Sequence, residues 1–300
     1  MNEAAVQAKD RVRAWAWPSL FLAVVLLSRL PLLGGGYGSD DDSWRNAVAG
    51  VHMRVLGHYV PSRVPGFPVF ETLVAALVPW GPAATNGAAI AAGLVAAGLF
   101  LGLARRLRLR SPQWLAVGFA FGGAMWVATS QTMDYAFGIA FLLGAYLALL
   151  SRRHWLSGVL LALAAGCRVS NGALFASAVL FLVVRRERPR VWLELAIAFA
   201  AVVTLLFLPV ALSPSVGDLR PHAAYHVGHA HVTPGNFVKV LRAALIFCLG
   251  KTGTIVLILG LLGAALAFLR PRGPSPRRPF KGGHCFVRAA RRAARLELVR

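Results

Sequence analysis

Long apolar segments separated by short arginine-rich clusters recur along this chain, and they restrict its fold more than any other feature. A helix of about 20 apolar residues crosses a bilayer. The chain is 14% charged, whereas a soluble domain carries roughly 25% charged residues. Transmembrane barrel strands alternate apolar and polar residues, and these segments show no such alternation. The sequence therefore predicts an all-α, polytopic bundle of transmembrane helices.

Eight of the apolar segments are predicted to span the membrane. They are residues 17–33, 83–104, 114–131, 135–150, 155–167, 172–184, 191–212 and 242–269. A ninth segment, 67–80, is too short to cross easily, and we predict a helix within the first outer loop that lies at the outer surface or dips into the membrane. The predicted domains are a cytoplasmic N-terminus (1–16), the membrane domain (17–269) and a basic tail (270–300).

Basic residues determine the expected orientation, because cytoplasmic loops of membrane proteins carry an excess of Lys and Arg. Placing the clusters at 105–110, 152–153 and 185–190 in the cytoplasm with both chain ends puts 23 of the 32 basic residues on one side. The net charge of +21 then reflects topology and tail, and it is no evidence for nucleic-acid binding. The composition of the tail predicts disorder, and loss of the natural reading frame near residue 270 is an alternative. We predict a multi-pass protein of the bacterial plasma membrane with loop 34–66 outside.

Three consecutive carboxylates, Asp40, Asp41 and Asp42, lie shortly after the first predicted span, in the stretch that begins at residue 34. A structural explanation is that Ser39 or Asp40 caps a helix that starts near Asp41. A second is a divalent-cation site, because carboxylates at positions x and x+2 commonly bind such ions. A third is catalysis by a carboxylate acting as a general base. The three explanations are compatible, since a helix cap holds a carboxylate rigidly.

Other polar residues are expected at the same outer face. Ionisable residues at the edge of membrane spans cost free energy to place there, and they often have a function. The guanidinium of Arg168 matches phosphate oxygens, and its structural alternative is an ion pair with Glu71 or Asp134. The candidate substrate-binding residues are Asp41, Arg63, Glu71, Asp134, Tyr135 and Arg168. Four histidines offer metal ligands in a later outer loop, although their spacing matches no standard zinc motif; they are His222, His226, His229 and His231.

These features, in this order, resemble the integral-membrane glycosyltransferases of the GT-C fold. The stretches that carry the resemblance are Ser28-Arg29-Leu30-Pro31, Gly36-Tyr37-Gly38-Ser39-Asp40-Asp41-Asp42, Pro65-Gly66-Phe67-Pro68-Val69-Phe70-Glu71, Gly81-Pro82, Asp134-Tyr135 and Gly166-Cys167-Arg168. The likeness covers residues 15 to 215. Eight spans are fewer than members of that family usually have.

The resemblance implies transfer of a sugar from a polyprenyl-phosphate donor to a glycan, lipid or protein acceptor at the outer face. It implies Asp40, or as second choice Asp42, as the catalytic base, and Asp42 otherwise holds the acceptor or an ion. Arg63 and Arg168 would stabilise the departing phosphate. It also implies inversion at the anomeric carbon by single displacement. The sequence assigns no cofactor, and a divalent cation is a candidate.

A lipid or solute transporter, or a flippase, is the competing class of function. Such proteins use intramembrane charges for passage, and many carry inverted repeats and broken helices at mid-membrane. The sequence shows one polar break, near Arg168, and no internal repeat. A non-catalytic membrane scaffold is a third class, against which the outer-face carboxylates argue.

We predict that a cysteine replacing Arg108 is protected from a membrane-impermeant thiol reagent added to intact cells. A cysteine introduced into loop 34–66 is expected to be labelled, because the arginine clusters stay in the cytoplasm. Labelling is compared in a variant without the native Cys167, Cys248 and Cys285. The reverse labelling pattern would show that the predicted orientation is wrong.

Overall fold

A computed structural model describes the backbone of residues 3–215 and the side chains of residues 15–215. All of these residues belong to one compact unit. The predicted span 242–269, the tail 270–300 and the histidines at positions 222, 226, 229 and 231 lie outside the described residues.

Every regular element in the described part of the chain is helical, and ten α-helices follow one another. They are α1 Glu3–Leu27, α2 Asp41–Leu56, α3 Pro68–Leu77, α4 Pro82–Arg106, α5 Pro112–Phe121, α6 Gly123–Ala128, α7 Tyr135–Leu150, α8 His154–Cys167, α9 Leu174–Val184 and α10 Pro189–Leu212. Short 3₁₀ turns cover Leu30–Leu32, Val78–Trp80 and Val169–Ala173. The helical class predicted from the sequence is confirmed for this part of the chain.

Three of the described helices are long and apolar enough to cross a bilayer, judged by length and composition. They are Trp15–Leu32, Pro82–Arg106 and Pro189–Leu212. Shorter apolar helices are Pro68–Trp80, Tyr135–Leu150, His154–Cys167 and Val169–Val184. These helices support the prediction that the chain is a membrane protein.

Helices α4, α7, α8 and α10 pack side by side, and small residues line the buried faces of the first three. The buried face of α7 is mostly alanine and glycine, and the same holds for the buried faces of α4 and α8. Small residues let helix backbones approach closely, which is how helices associate in lipid. At Gly158, an added Cβ would lie 2.4 Å from the carbonyl oxygen of Leu195. Helices α8 and α10 are therefore in direct backbone contact.

The segment 114–131, predicted as a single span, is interrupted at Gly122. Its backbone there is extended (φ −60°, ψ 136°), so that α5 ends and α6 begins across one residue. Arg29, which is buried, fills the break: its Nη2 donates to the carbonyl oxygen of Ala120 and its Nε donates to Thr129. Its guanidinium carbon also lies 4.5 Å from the ring centre of Trp126. A carbonyl freed by the break thus gains a charged donor.

The first predicted outer loop contains two helices, α2 and α3. Helix α2 begins at Asp41, where the capping pattern predicts a start, and it ends at Gly57 in the left-handed conformation (φ 70°). The predicted surface helix 67–80 is α3 followed by a 3₁₀ turn. It is packed into the protein against α2 and α8, with Phe70 and Val74 buried. One side of this helix is therefore buried in the protein, and its position at the outer surface of the membrane stays a prediction.

We predict that Gly158→Ala destabilises the protein, because the new methyl group would collide with the backbone of α10. Overpacking of this kind typically costs about 1–3 kcal/mol. Gly98→Ala in α4 is the matched control, since nothing lies within 4 Å of its added Cβ, and it should stabilise the helix by about 0.5–1 kcal/mol. Unfolding temperatures in detergent measure both changes. Equal temperatures for the two variants would contradict the close contact of α8 and α10.

Candidate functional site

The candidate site lies at the end of the bundle where α4 and α7 begin and α8 ends. Four connecting segments meet there: 28–40, 57–67, 129–134 and 168–173. Each segment contributes polar side chains, and the helices fix its two ends. The site is thus assembled from residues that are far apart in sequence.

Asp134 is the centre of this site. Its side chain is only 1% exposed, and its two oxygens face two different arginines. Arg63 Nη2 lies 3.3 Å from Oδ1, and Arg168 Nη1 lies 3.4 Å from Oδ2. Burial raises the pKa of the Asp134 carboxyl, and the guanidinium groups of Arg168 and Arg63 oppose that rise. The ion pairs compensate for taking this carboxylate out of water.

The ion-pair network continues to the acidic triplet. Arg63 Nη1 lies 2.7 Å from Oδ2 of Asp42, so that this guanidinium joins Asp42 to Asp134. Each arginine also stacks on an aromatic ring: the guanidinium carbons lie 4.3 Å from the ring centres of Phe67 and Tyr135. Two carboxylates and two guanidiniums therefore form one connected, charge-balanced row.

Asp40 lies beside this network as the N-cap of α2. Its Oδ1 accepts a hydrogen bond of 2.8 Å from the backbone N–H of Asp42, which confirms the predicted cap. Asp40 and Asp41 are exposed, and in the described part of the chain neither forms an ion pair. Asp40 thus keeps an exposed carboxylate in a fixed position two residues from Asp42.

Glu71, a predicted substrate-binding residue, lies apart from the ion-pair network. It is fully buried and accepts hydrogen bonds from the Tyr59 hydroxyl, the Ser62 hydroxyl, the Ser62 N–H (2.7 Å) and the Phe67 N–H (2.8 Å). Burial and then the Glu71 charge raise the pKa of the Tyr59 phenol. Since all four donors come from segment 59–67, Glu71 holds the loop that carries Arg63.

A set of buried polar residues that was not predicted from the sequence holds the glycine-rich loop before α2 in place. Gln131 Oε1 accepts from the N–H of Ser39 (3.1 Å), and the N–H of Thr132 donates to the carbonyl oxygen of Tyr37 (2.9 Å). The hydroxyl of Thr132 donates to Asn86 Oδ1 (2.9 Å). Their position in the sequence could have indicated them, because a polar side chain in or next to an apolar span destabilises the protein unless it forms hydrogen bonds.

A metal site was expected as one explanation of the acidic triplet. Among the described residues, no group of three or more His, Cys, Asp or Glu side chains is placed to hold a metal ion. A divalent cation at Asp40 and Asp42 stays a prediction, and the histidine-rich segment lies outside the described range.

Comparisons of this chain with protein families, curated proteins and solved structures found no match.

We predict that Asp134→Asn lowers the free energy of unfolding by roughly 2 kcal/mol. Removing one partner of a fully buried ion pair costs about 3–5 kcal/mol, and the exposed fractions of Arg63 (17%) and Arg168 (31%) reduce that cost. Denaturation in detergent measures the loss. Adding Arg168→Gln should recover part of it, because one uncompensated charge is then removed. An unchanged unfolding midpoint for Asp134→Asn would contradict this account.

Proposed function

We propose that this chain is a GT-C-like membrane glycosyltransferase that transfers a sugar from a polyprenyl-phosphate donor to a glycan, lipid or protein acceptor. In the proposed arrangement eight spans cross a bacterial plasma membrane and the site faces outward. The observation that carries the proposal is the row Asp42–Arg63–Asp134–Arg168 beside the exposed carboxylate of Asp40. This row lies at the opposite end of the helices from the arginine-rich turns, as the proposed orientation requires.

The two arginines are suited to bind the phosphate of the donor. Asp134 fixes both guanidiniums, and each keeps N–H groups that are not used by the ion pairs. Arg168 is the more exposed of the two, and its fork of donors matches two phosphate oxygens. Donors that are already positioned stabilise developing negative charge without reorganisation. The departing polyprenyl phosphate would carry that charge.

Asp40 is the carboxylate best placed to act as the base. Asp42 is engaged by Arg63 at 2.7 Å, and Asp134 is engaged by two arginines. Asp40 is exposed, and its capping bond uses one of its oxygens. A general base must be able to reach the acceptor hydroxyl, and Asp40 is exposed, held by its capping bond and outside the ion pairs. Asp41 and Tyr135 are the remaining proposed substrate contacts: Asp41 follows Asp40 at the start of α2, and the Tyr135 ring stacks with Arg168.

The proposed reaction is a single displacement at the anomeric carbon. The acceptor hydroxyl oxygen forms the new bond to that carbon while its proton passes to the Asp40 carboxylate. The bond between the anomeric carbon and the phosphate oxygen breaks, and its electron pair leaves with polyprenyl phosphate. Arg63 and Arg168 then face a phosphate with one more unit of negative charge than in the donor ester.

A lipid or solute transporter is the second candidate, and the helix breaks favour it. The backbone is extended at Arg168 (φ −159°, ψ 118°) between α8 and the following 3₁₀ turn. A second break occurs at Gly122. Discontinuous helices line the binding sites of many transporters. A transporter would move its lipid or solute without cleaving a glycosidic bond, so a transfer assay separates the two functions.

We predict that Asp40→Asn abolishes sugar transfer and leaves the protein folded. Asparagine is an equally good N-cap, so α2 keeps its start, while the loss of a general base lowers rates by about 10²- to 10⁴-fold. Transfer of labelled sugar from a polyprenyl-phosphate donor in membranes measures the rate. The unfolding temperature of the same variant measures the fold.

The matched control for this experiment is Glu194→Gln, which neutralises an exposed carboxylate near the opposite end of the bundle. Its transfer rate should equal that of the wild type. Wild-type transfer by a double Asp40→Asn, Asp42→Asn variant would refute the assignment of the base. No transfer by the wild-type chain with any such donor would favour the transporter.

A further inference from the structure

Three turns at the arginine-rich end of the bundle share an unusual backbone feature. Arg108, Arg152 and Arg186 lie just after the ends of α4, α7 and α9, and each has a left-handed backbone (φ 53°, 58° and 54°). Among the described residues, Ser111 is the one other non-glycine residue with positive φ. The feature is therefore concentrated on arginine and on this end of the bundle.

The three turns use the same hydrogen-bond pattern. In each, the N–H of the arginine donates to the carbonyl three residues back, and the N–H of the next residue donates to the carbonyl five residues back. The second set of bonds joins Leu109 to Ala104 (3.0 Å), Arg153 to Ala148 (2.9 Å) and Glu187 to Leu182 (3.1 Å). This is the Schellman motif, whose left-handed position is usually occupied by glycine.

Arginine at this position costs conformational free energy, because its Cβ crowds the backbone in the left-handed region. The same chain uses glycine where α2 ends, at Gly57 (φ 70°). Glycine would satisfy the three turns equally well and without that cost. The arginine side chains must therefore serve a purpose outside the turns themselves.

The ends of α4 and α7 do not by themselves require these side chains. Cations stabilise the last turn of a helix by interacting with its dipole and its free carbonyls. Arg105 and Arg106 occupy the last turn of α4 in ordinary helical conformation. Arg106 Nη2 also donates to the carbonyl oxygen of Leu150 at the end of α7 (2.9 Å). Other arginines thus interact with the dipole of α4 and with the carbonyl at the end of α7.

All three turns belong to one surface. The bond from Arg106 to Leu150 joins the first turn to the second. Leu149 and Leu182, which precede the second and third turns, are buried in one hydrophobic cluster. Segments 105–110, 152–153 and 185–194 together carry ten arginines and two glutamates. Two of the membrane-length helices, Pro82–Arg106 and Pro189–Leu212, end or begin here, which places this surface at a boundary of the bilayer.

We propose that Arg108, Arg152 and Arg186 form a docking surface for the phosphate headgroups of anionic phospholipids in the adjacent leaflet. All three side chains are exposed. The guanidinium fork binds phosphate oxygens in pairs, and clusters of basic residues at the membrane boundary attract anionic lipid. This surface is independent of sugar transfer at the other end of the bundle.

The test compares the unfolding temperature of the full chain in a neutral detergent, with and without added phosphatidylglycerol. Phosphatidylglycerol should stabilise the wild type more than the same mole fraction of phosphatidylcholine. In the triple variant R108G/R152G/R186G the phosphatidylglycerol shift should fall by more than half. Without added lipid, the same variant should be at least as stable as the wild type, because glycine relieves the left-handed strain. The three single Arg→Gly variants provide the same comparison if the triple variant folds poorly.

The matched control is R105Q/R110Q/R188Q, which removes three charges from the same surface at residues without positive φ. It should keep most of the phosphatidylglycerol shift. If the two triple variants lose the same part of the phosphatidylglycerol shift, the left-handed arginines are not the specific binding residues, and the proposal is overturned. A lower unfolding temperature of the glycine variant in detergent alone would also overturn it, since the arginines would then serve the helix ends. An equal rise in unfolding temperature with inorganic phosphate would show that the surface binds free phosphate and not the lipid leaflet.

Discussion

A buried carboxylate between two guanidiniums is the interaction on which this end of the protein depends. Asp134 is 1% exposed and bonds to Arg63 and Arg168, which are 71 and 34 residues away in sequence. A buried charge without partners is strongly destabilising, so the loops that carry these arginines must stay in place. Through Arg63 the same carboxylate also fixes Asp42 and the start of α2. Neutralising Asp134 would therefore disturb four segments at once.

The two ends of the bundle differ in their polar chemistry. At one end, acidic and basic side chains are paired and partly buried around Asp134. At the other end, arginines are exposed and greatly outnumber carboxylates. The helices between them are apolar and pack through alanine and glycine. Small residues in the middle allow close contact in lipid, while the polar residues are kept to the two ends.

The helices were predicted well because hydropathy reports them directly: segment 135–150 has the bounds of α7, and 83–104 lies within Pro82–Arg106. The cap at Asp40 was also predictable, since capping depends on neighbouring residues. Hydropathy does not detect the break at Gly122, because the residues before and after it are apolar. Glu71 was expected to bind substrate, which stays a prediction, and its hydrogen bonds to the preceding loop 59–67 were not foreseen. The pairing of Arg63 with Asp134 depends on tertiary contacts, which the sequence pattern does not encode.

The partners of Arg29 have a consequence for the order in which the protein matures. Arg29 bonds to Thr129, and 100 residues separate them along the chain. During synthesis the first helix is complete long before the break between α5 and α6 exists. Contacts between distant residues form slowly, because a long loop must first close. Arg29 can donate at once to the Val25 carbonyl and the Ser28 hydroxyl, but its bond to Thr129 cannot form until a further 100 residues have been translated. The first helix therefore reaches its final packing late.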